Sequence, residues 1–199
     1  MNRMISLTVA LALLALACGE EEPPPPPPVT TPVEVLKNIE ISFNQRDIDL
    51  LKNCLSPNFV FYTDPGEIGR PKPAESYYRP PPCYTFTEFW NIAYNMFKGA
   101  YSVSLSISTG RVGEPAPEEN TYWADKVELS LLVMVDELNG YIADEGYCHF
   151  EFEKYKNEQG QVRWRITNWW DDTEGGGEAL AGVERVPLWY ILSLYEKPT

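Results

Sequence analysis

One histidine, His149, stands in a chain of 199 residues, and only four cysteines accompany it. A zinc centre built on several imidazoles is therefore excluded. Cysteines Cys18, Cys54, Cys83 and Cys148 show none of the paired spacing of a zinc cluster. Basic residues are also scarce: 16 Lys and Arg stand against 29 Asp and Glu, a formal net charge of -13. No cationic patch interleaved with aromatics relieves that balance. Nucleic acid is thus excluded as a partner, because a field of this sign repels phosphate. Glycine-rich phosphate loops and a repeating βαβ pattern are missing too, which removes the usual nucleotide-binding classes. The N-terminal apolar stretch, Ile5 to Ala17, falls short of the about 20 residues that a membrane-spanning helix needs.

What that stretch does fit is a secretory signal, with Arg3 as its basic n-region and Ile5 to Ala17 as its h-region. Its end, Ala15-Leu16-Ala17-Cys18, resembles the bacterial lipobox, with Ala15 where leucine is usual. The resemblance implies cleavage before Cys18 and lipidation of that residue. Two or more acyl chains hold a protein firmly to a bilayer where one does not. Gly19 follows instead of the aspartate that often retains such proteins at the inner membrane, so the resemblance implies the outer membrane, facing the periplasm, in a cell that has one. Simple secretion is the alternative. Glu20 to Glu22 and then Pro23 to Pro28 cannot join a core. The prolines favour polyproline II, about 3.1 Å per residue, and make a stiff spacer. The expected organisation is a signal peptide over 1–17, a lipidated cysteine and Pro-rich linker over 18–32, and one domain with a C-terminal tail over 33–199. With Cys18 acylated, at most one disulfide can form among Cys54, Cys83 and Cys148, and an oxidising compartment permits it without choosing the pair.

Beyond the linker the periodicity is mixed. Val35, Leu36, Ile39 and Phe43 fall at helical spacing. Asp47 can cap a second, short helix through Ile48, Leu51 and Leu55. Ser56-Pro57-Asn58 ends it, and Phe59 to Tyr62 is a short strand. Thr63 to Cys83, rich in Pro, Gly and Tyr, is an irregular excursion. A third helix from Thr85 or Thr87 carries Phe86, Phe89, Trp90, Ala93 and Phe97, and Gly99 stops it. Alternation then takes over: Tyr101 to Thr109, a strand marked by Val127 to Val135, Tyr147 to Tyr155, and Val162 to Trp170. Asn139-Gly140 signals a hairpin. In the tail, Val186 to Tyr195 suits a helix or a strand. The fold class is α+β, with about three N-terminal helices covering one side of a curved antiparallel sheet.

Leu51 with Leu55-Ser56-Pro57-Asn58-Phe59-Val60-Phe61-Tyr62, and the closing Trp164-Arg165-Ile166-Thr167-Asn168-Trp169-Trp170-Asp171, resemble the corresponding segments of NTF2-like, or SnoaL-like, domains. The resemblance covers about residues 33 to 173, mostly through element order. It implies a cone-shaped shell with a pocket between the helices and the concave sheet. Tyr62-Thr63-Asp64-Pro65-Gly66 also resembles the segment of ketosteroid isomerase that holds the catalytic aspartate. That resemblance would make Asp64 a general base, since an apolar pocket raises an aspartate's pKa. The first helix offers Ile39, Ile41 and Phe43 rather than a tyrosine as oxyanion donor, which leaves Tyr122 or Asp125 on the sheet. A turn, which all three residues favour, is the preferred reading of Asp64-Pro65-Gly66.

Candidate lining residues for the pocket are Tyr62, Asp64, Trp90, Trp164 and Trp170. Strict alternation puts Trp164 and Trp170 on one strand face and Trp169 on the other, where it would adjoin Arg163 and Arg165 as a partner surface. His149 with Glu151 and Glu153 shares one strand face, a weak imitation of a metal set, and no metal or other cofactor is expected. Asp171, Asp172 and Glu174 read as solvated acids at a strand end. Taken together, the residues favour a non-catalytic binding or assembly domain in the cell envelope. Its expected partners are the membrane through acylated Cys18, a second copy through the sheet face, and an apolar small molecule or envelope protein. The alternative is an isomerase or dehydratase of an apolar small molecule with Asp64 as base. Mass spectrometry of the mature protein checks the front end: the expected N-terminus is an acylated Cys18, and Cys18→Ala moves the protein from the membrane fraction to the soluble one.

Overall fold

The structure, a computed structural model, describes residues 29–63, 83–176 and 182–196. Cys18, the proline linker and Asp64 lie outside them. The elements run α1 (Pro32–Gln45), α2 (Ile48–Cys54), β1 (Leu55–Tyr62), β2 (Cys83–Thr85), α3 (Phe86–Gly99), β3 (Ser102–Ile107), β4 (Thr121–Val127), β5 (Leu129–Met134), β6 (Gly140–Ala143), β7 (Glu145–Lys156), β8 (Val162–Glu174), β9 (Val183–Arg185) and α4 (Leu188–Ser193). The chain is α+β, with three helices ahead of most of the strands and a fourth in the tail. None of the described helices is long and apolar enough to cross a membrane.

Helix α1 starts where its sequence supplies both halves of a capping box. Thr31 Oγ1 accepts from Glu34 N at 3.2 Å, and the Glu34 carboxylate accepts from Thr31 N at 2.9 Å. Pro32 fills the first turn, where a missing N–H costs nothing. The helix stops at Arg46, whose φ of 56° leaves the helical region. The Arg46 guanidinium then donates to Phe97 O at 3.3 Å and Tyr101 O at 2.7 Å, fastening the end of α1 to the end of α3. Asp47 caps α2 as expected, accepting from Asp49 N and Leu50 N.

The strands form two sheets, one ordered β2-β1-β8-β7-β4 and the other β3-β5-β6-β9. This departs from the expected single sheet, yet the two are joined by a continuous ribbon. Only Glu128 separates β4 from β5, and only Asp144 separates β6 from β7. Pairing runs antiparallel from Thr121↔Glu153 at one end to Met134↔Gly140 at the other. The ribbon is distorted near its middle. Its register shifts between Ala124 and Val127, and Lys126 takes a φ of 52°, the mark of a bulge that bends a strand. Opposite it, Gly146 has a φ of +90°, and a Cβ there would lie 2.3 Å from Asp172 O. The sequence pattern placed this strand's start at Val127. In the structure Val127 instead ends β4, whose Thr121 to Lys126 alternate too weakly in hydropathy to announce a strand. A second departure concerns direction: β1 pairs with β8 in parallel, and β9 with β6 likewise.

Strand β3 is an edge, and α1 covers its open side. Asn44 Nδ2 donates to Leu105 O at 2.9 Å while Leu105 N donates to Asn44 Oδ1 at 2.7 Å, so one side-chain amide stands in for a strand residue. Ile107 N donates to Glu40 Oε2 at 3.0 Å. Exposed edges invite pairing with other chains, and these bonds block this one.

The tail resolves as β9 followed by α4, and a buried carboxylate docks it. Asp171 is 1% exposed, contrary to the solvated acid its sequence position suggested. Its Oδ2 accepts from Trp189 N at 2.9 Å, and its Oδ1 accepts from Thr173 N and Thr173 Oγ1. Thr173 Oγ1 in turn accepts from Leu188 N at 2.8 Å. The free N–H groups at the start of α4 are thus satisfied by the sheet rather than by water. Replacing Asp171 with alanine strands those donors. The expected result is a loss of about 3 kcal/mol in a urea melt, with faster amide exchange at Leu188 and Trp189 than in the unaltered chain.

Candidate functional site

The place to look first is the space between α3 and the five-stranded sheet. Phe59 and Phe61 on β1, Phe89 on α3, Phe150 on β7 and Trp169 on β8 all point into it, and none is more than 1% exposed. Their rings touch in sequence. Phe89 lies 5.1 Å from Phe59 and 5.4 Å from Phe61, and Trp169 lies 5.5 Å from Phe61, 5.7 Å from Phe89 and 4.9 Å from Phe150. These separations are those of packed aromatic pairs, with no room for a guest between them. Among the described residues, the space between α3 and the five-stranded sheet is filled by these side chains.

The expected lining residues divide between surfaces. Trp164 is buried, 2% exposed. Trp170 lies on the opposite, outer face of β8, stacked on Tyr62 at 5.0 Å and 8°. They do not share a face, because the register between β7 and β8 shifts where Phe152 pairs with Ile166 but Glu151 pairs with Asn168. One extra residue exchanges the faces for everything beyond it. The same shift buries Trp169, which therefore does not join Arg163 and Arg165 on an outer surface. Trp90 is half-buried on α3, stacked on Tyr94 at 5.4 Å. Asp64 lies outside the described residues. Neither proposed donor reaches the ring cluster: Tyr122 Oη accepts from Gly113 N at 2.7 Å, and Asp125 is on the outer face.

That outer face carries the polar and aromatic groups that the interior does not. His149 Nδ1 lies 2.5 Å from Asp125 Oδ1, and its Nε2 lies 3.6 Å from Asp172 Oδ2, a Coulombic contact rather than a hydrogen bond. Trp123 stands beside this group, 6.2 Å from the imidazole and 4.7 Å from the Trp170 ring. Both acids beside the imidazole are more than half exposed, so water screens the pair. Glu151 and Glu153 do not converge on His149. Glu151 accepts from Asn168 Nδ2 at 2.5 Å, while Glu153 accepts from Ser56 Oγ and Arg165 Nε. Among the described residues no group of three or more His, Cys, Asp or Glu side chains is arranged to hold a metal ion. The Asp125–His149 pair is the feature that sequence reading missed. Its only signal was that both residues alternate outward on strands not yet known to be neighbours.

The thiols of Cys54, Cys83 and Cys148 are all free. Burial pushes the Cys54 thiol up to about 12, with the Asp47 charge adding to it. Burial, then the Asp171 charge, raises Cys148 well above the ordinary thiol range. Neither supplies a thiolate at neutral pH, so neither is a nucleophile.

No family model and no curated protein matches this chain. Among solved structures it is similar to the Kfla4162 protein from Kribbella flavida, at 10% identity over 81% of this chain and 93% of that one, with a TM-score of 0.48. A putative calcium/calmodulin-dependent protein kinase type II association domain from Thiobacillus denitrificans is 11% identical over 72% and 94%, with a TM-score of 0.41. An LEH-like epoxide hydrolase from M. tuberculosis is 15% identical over 71% and 81%, with a TM-score of 0.38. Likeness at this level assigns no activity.

The thiols provide a check on the packing described above. At about pH 8 iodoacetamide is expected to label half-exposed Cys83 in the native chain, and Cys54 and Cys148 only after unfolding. Their folded pKa values lie above the unfolded ones, so the stability they contribute is complete below about pH 9 and falls as pH rises further. A pH series of urea melts reads that fall.

Proposed function

We propose that this chain is a lipid-anchored envelope protein whose NTF2-like domain binds or assembles rather than catalyses. The anchor rests on the signal-like stretch ending at Cys18, and the acidic and proline-rich linker after it sets the domain off from the bilayer. The NTF2-like reading rests on element order: two helices, a strand, a third helix, then a largely antiparallel sheet on which the helices pack. The observation that carries the non-catalytic reading is the ring cluster around Trp169. An enzyme working inside such a cone needs a pocket lined by an acid or base. The reading is supported by Phe59, Phe61, Phe89, Phe150 and Trp169, which among the described residues fill the space between α3 and the sheet. The groups able to recognise a partner, Trp123 and Trp170 among them, lie on the outside. Tryptophan and tyrosine in such positions are the side chains that anchor interfaces most often.

Cavity engineering tests the filled interior. The unaltered protein is expected to take up no benzene. Phe89→Ala removes one ring from the cluster, at a cost of about 3–5 kcal/mol in stability, and opens an apolar cavity that benzene enters. Saturable benzene binding to the unaltered chain, followed by xenon or benzene density beside Trp169 in a crystal, would overturn the reading.

A further inference from the structure

A groove of about 360 Å³ opens on the outside of the molecule, between the end of α2, the start of β1, the first turn of α3 and the outer faces of β7 and β8. It falls within the size range of small-molecule sites, which begin at about 300 Å³. Its walls are mostly apolar, made by Leu55, Pro57, Phe86 and Tyr155, and the amide of Asn53 and two cations, Lys52 and Arg165, complete it. Two cations in one groove are unusual on a chain of net charge -13.

Arg165 is held in place from two sides. Its Nε donates to Glu153 Oε1 at 2.8 Å, and its guanidinium carbon lies 4.5 Å from the centre of the Tyr155 ring. Glu153 is itself fixed, because Ser56 Oγ donates to the same oxygen at 2.9 Å. None of the hydrogen bonds among the described residues uses the two Nη groups of Arg165, and Lys52 makes no ion pair among those residues. A guanidinium fork braced at Nε and stacked on a ring has lost little freedom still to be lost on binding, which favours recognition of a planar anion. Glu153 cancels one of the two positive charges. The remaining single charge suits a monocarboxylate better than a doubly charged phosphate.

We propose that this groove binds an organic monocarboxylate with a flat apolar body, its carboxylate between Lys52 and Arg165 and its body against Phe86, Pro57 and Tyr155. At roughly 30 Å³ per atom-sized group, the share of one water in the liquid, the volume holds about a dozen non-hydrogen atoms. Phenylbutyrate matches that size. The proposal rests on the reading of the domain as a binding module and names its ligand class.

Calorimetric titration of the full chain, purified from whichever cell fraction holds it, tests the site with three probes. Phenylbutyrate is expected to bind saturably at one site. Phenylbutanol, which has the body without the charge, and inorganic phosphate, which has charge without the body, are each expected to bind at least about tenfold more weakly. Lys52→Gln, an exposed change that leaves the fold intact, is expected to weaken phenylbutyrate by about tenfold. Arg165→Gln combined with Glu153→Gln, which strands no carboxylate, is expected to abolish it. No saturable phenylbutyrate binding, equal binding of phenylbutanol, or an unchanged affinity in Lys52→Gln would each overturn the site. Such a failure beside a benzene-free interior leaves the binding-module reading standing, and benzene in the unaltered interior overturns that reading whatever the groove does.

Discussion

The packing of Trp169 against Phe61, Phe89 and Phe150 is the contact on which the rest of the molecule depends. It joins β8 to both of its neighbours, β1 and β7, and to the helix above them. Each of these rings removes a large apolar area from water, with a further gain of about 0.5–1.5 kcal/mol per well-placed aromatic pair. Because the rings come from four elements, β1, α3 and the β7–β8 pair, none of those elements can bury its apolar face without the others. The parallel pairing of β1 with β8 follows from this. Phe61 pairs with Trp169 in that register, which sets both rings on the inner face.

Strand β8 is where packing and polar chemistry meet. The register shift at Thr167 and Asn168 sends Trp169, Asp171 and Thr173 inward and Trp170 and Asp172 outward. One inserted residue therefore supplies the central ring of the core, the carboxylate that docks the tail, and the outer indole that stacks on Tyr62. A buried carboxylate is costly unless its oxygens are fully engaged. Asp171 meets that condition by accepting the N–H groups that the start of α4 would otherwise leave bare. Tail and sheet are in this way mutually required.

Much of this was legible in the residues. The capping signal at Asp47 and the helical spacing of Val35 to Phe43 are local, and local rules found them. So did the alternation in β3, β7 and the first half of β8. What alternation cannot show is a bulge, because an extra residue changes no residue type and only reassigns faces. Trp169 and Trp170 were assigned to the wrong sides for that reason, and Asp171 was read as a solvated acid at a strand end. The division of the sheet was hidden in a similar way, since the bend at Lys126 and Gly146 lies inside a ribbon whose two halves keep one pairing register. Contacts such as Asp125 with His149 and Arg165 with Glu153 depend on which strands are neighbours. No single segment carries that information.

The distribution of charge and rings between inside and outside then constrains where this molecule can act. The interior aromatic cluster gives stability to a domain in a chain of strong negative charge, and its rings hold four elements together. The outer face has no such conflict. Glu153 and Arg165 are directly paired across β7 and β8, and the two strands are already fixed by twelve residues of β7 ladder. The side chains lining the groove can therefore be positioned by backbone that the core has set. A rigid sheet carrying a braced guanidinium is a better recognition surface than a loop, since the geometry is complete before the ligand arrives. The packed ring cluster and the fixed backbone beneath the outer groove are thus two consequences of the same packing.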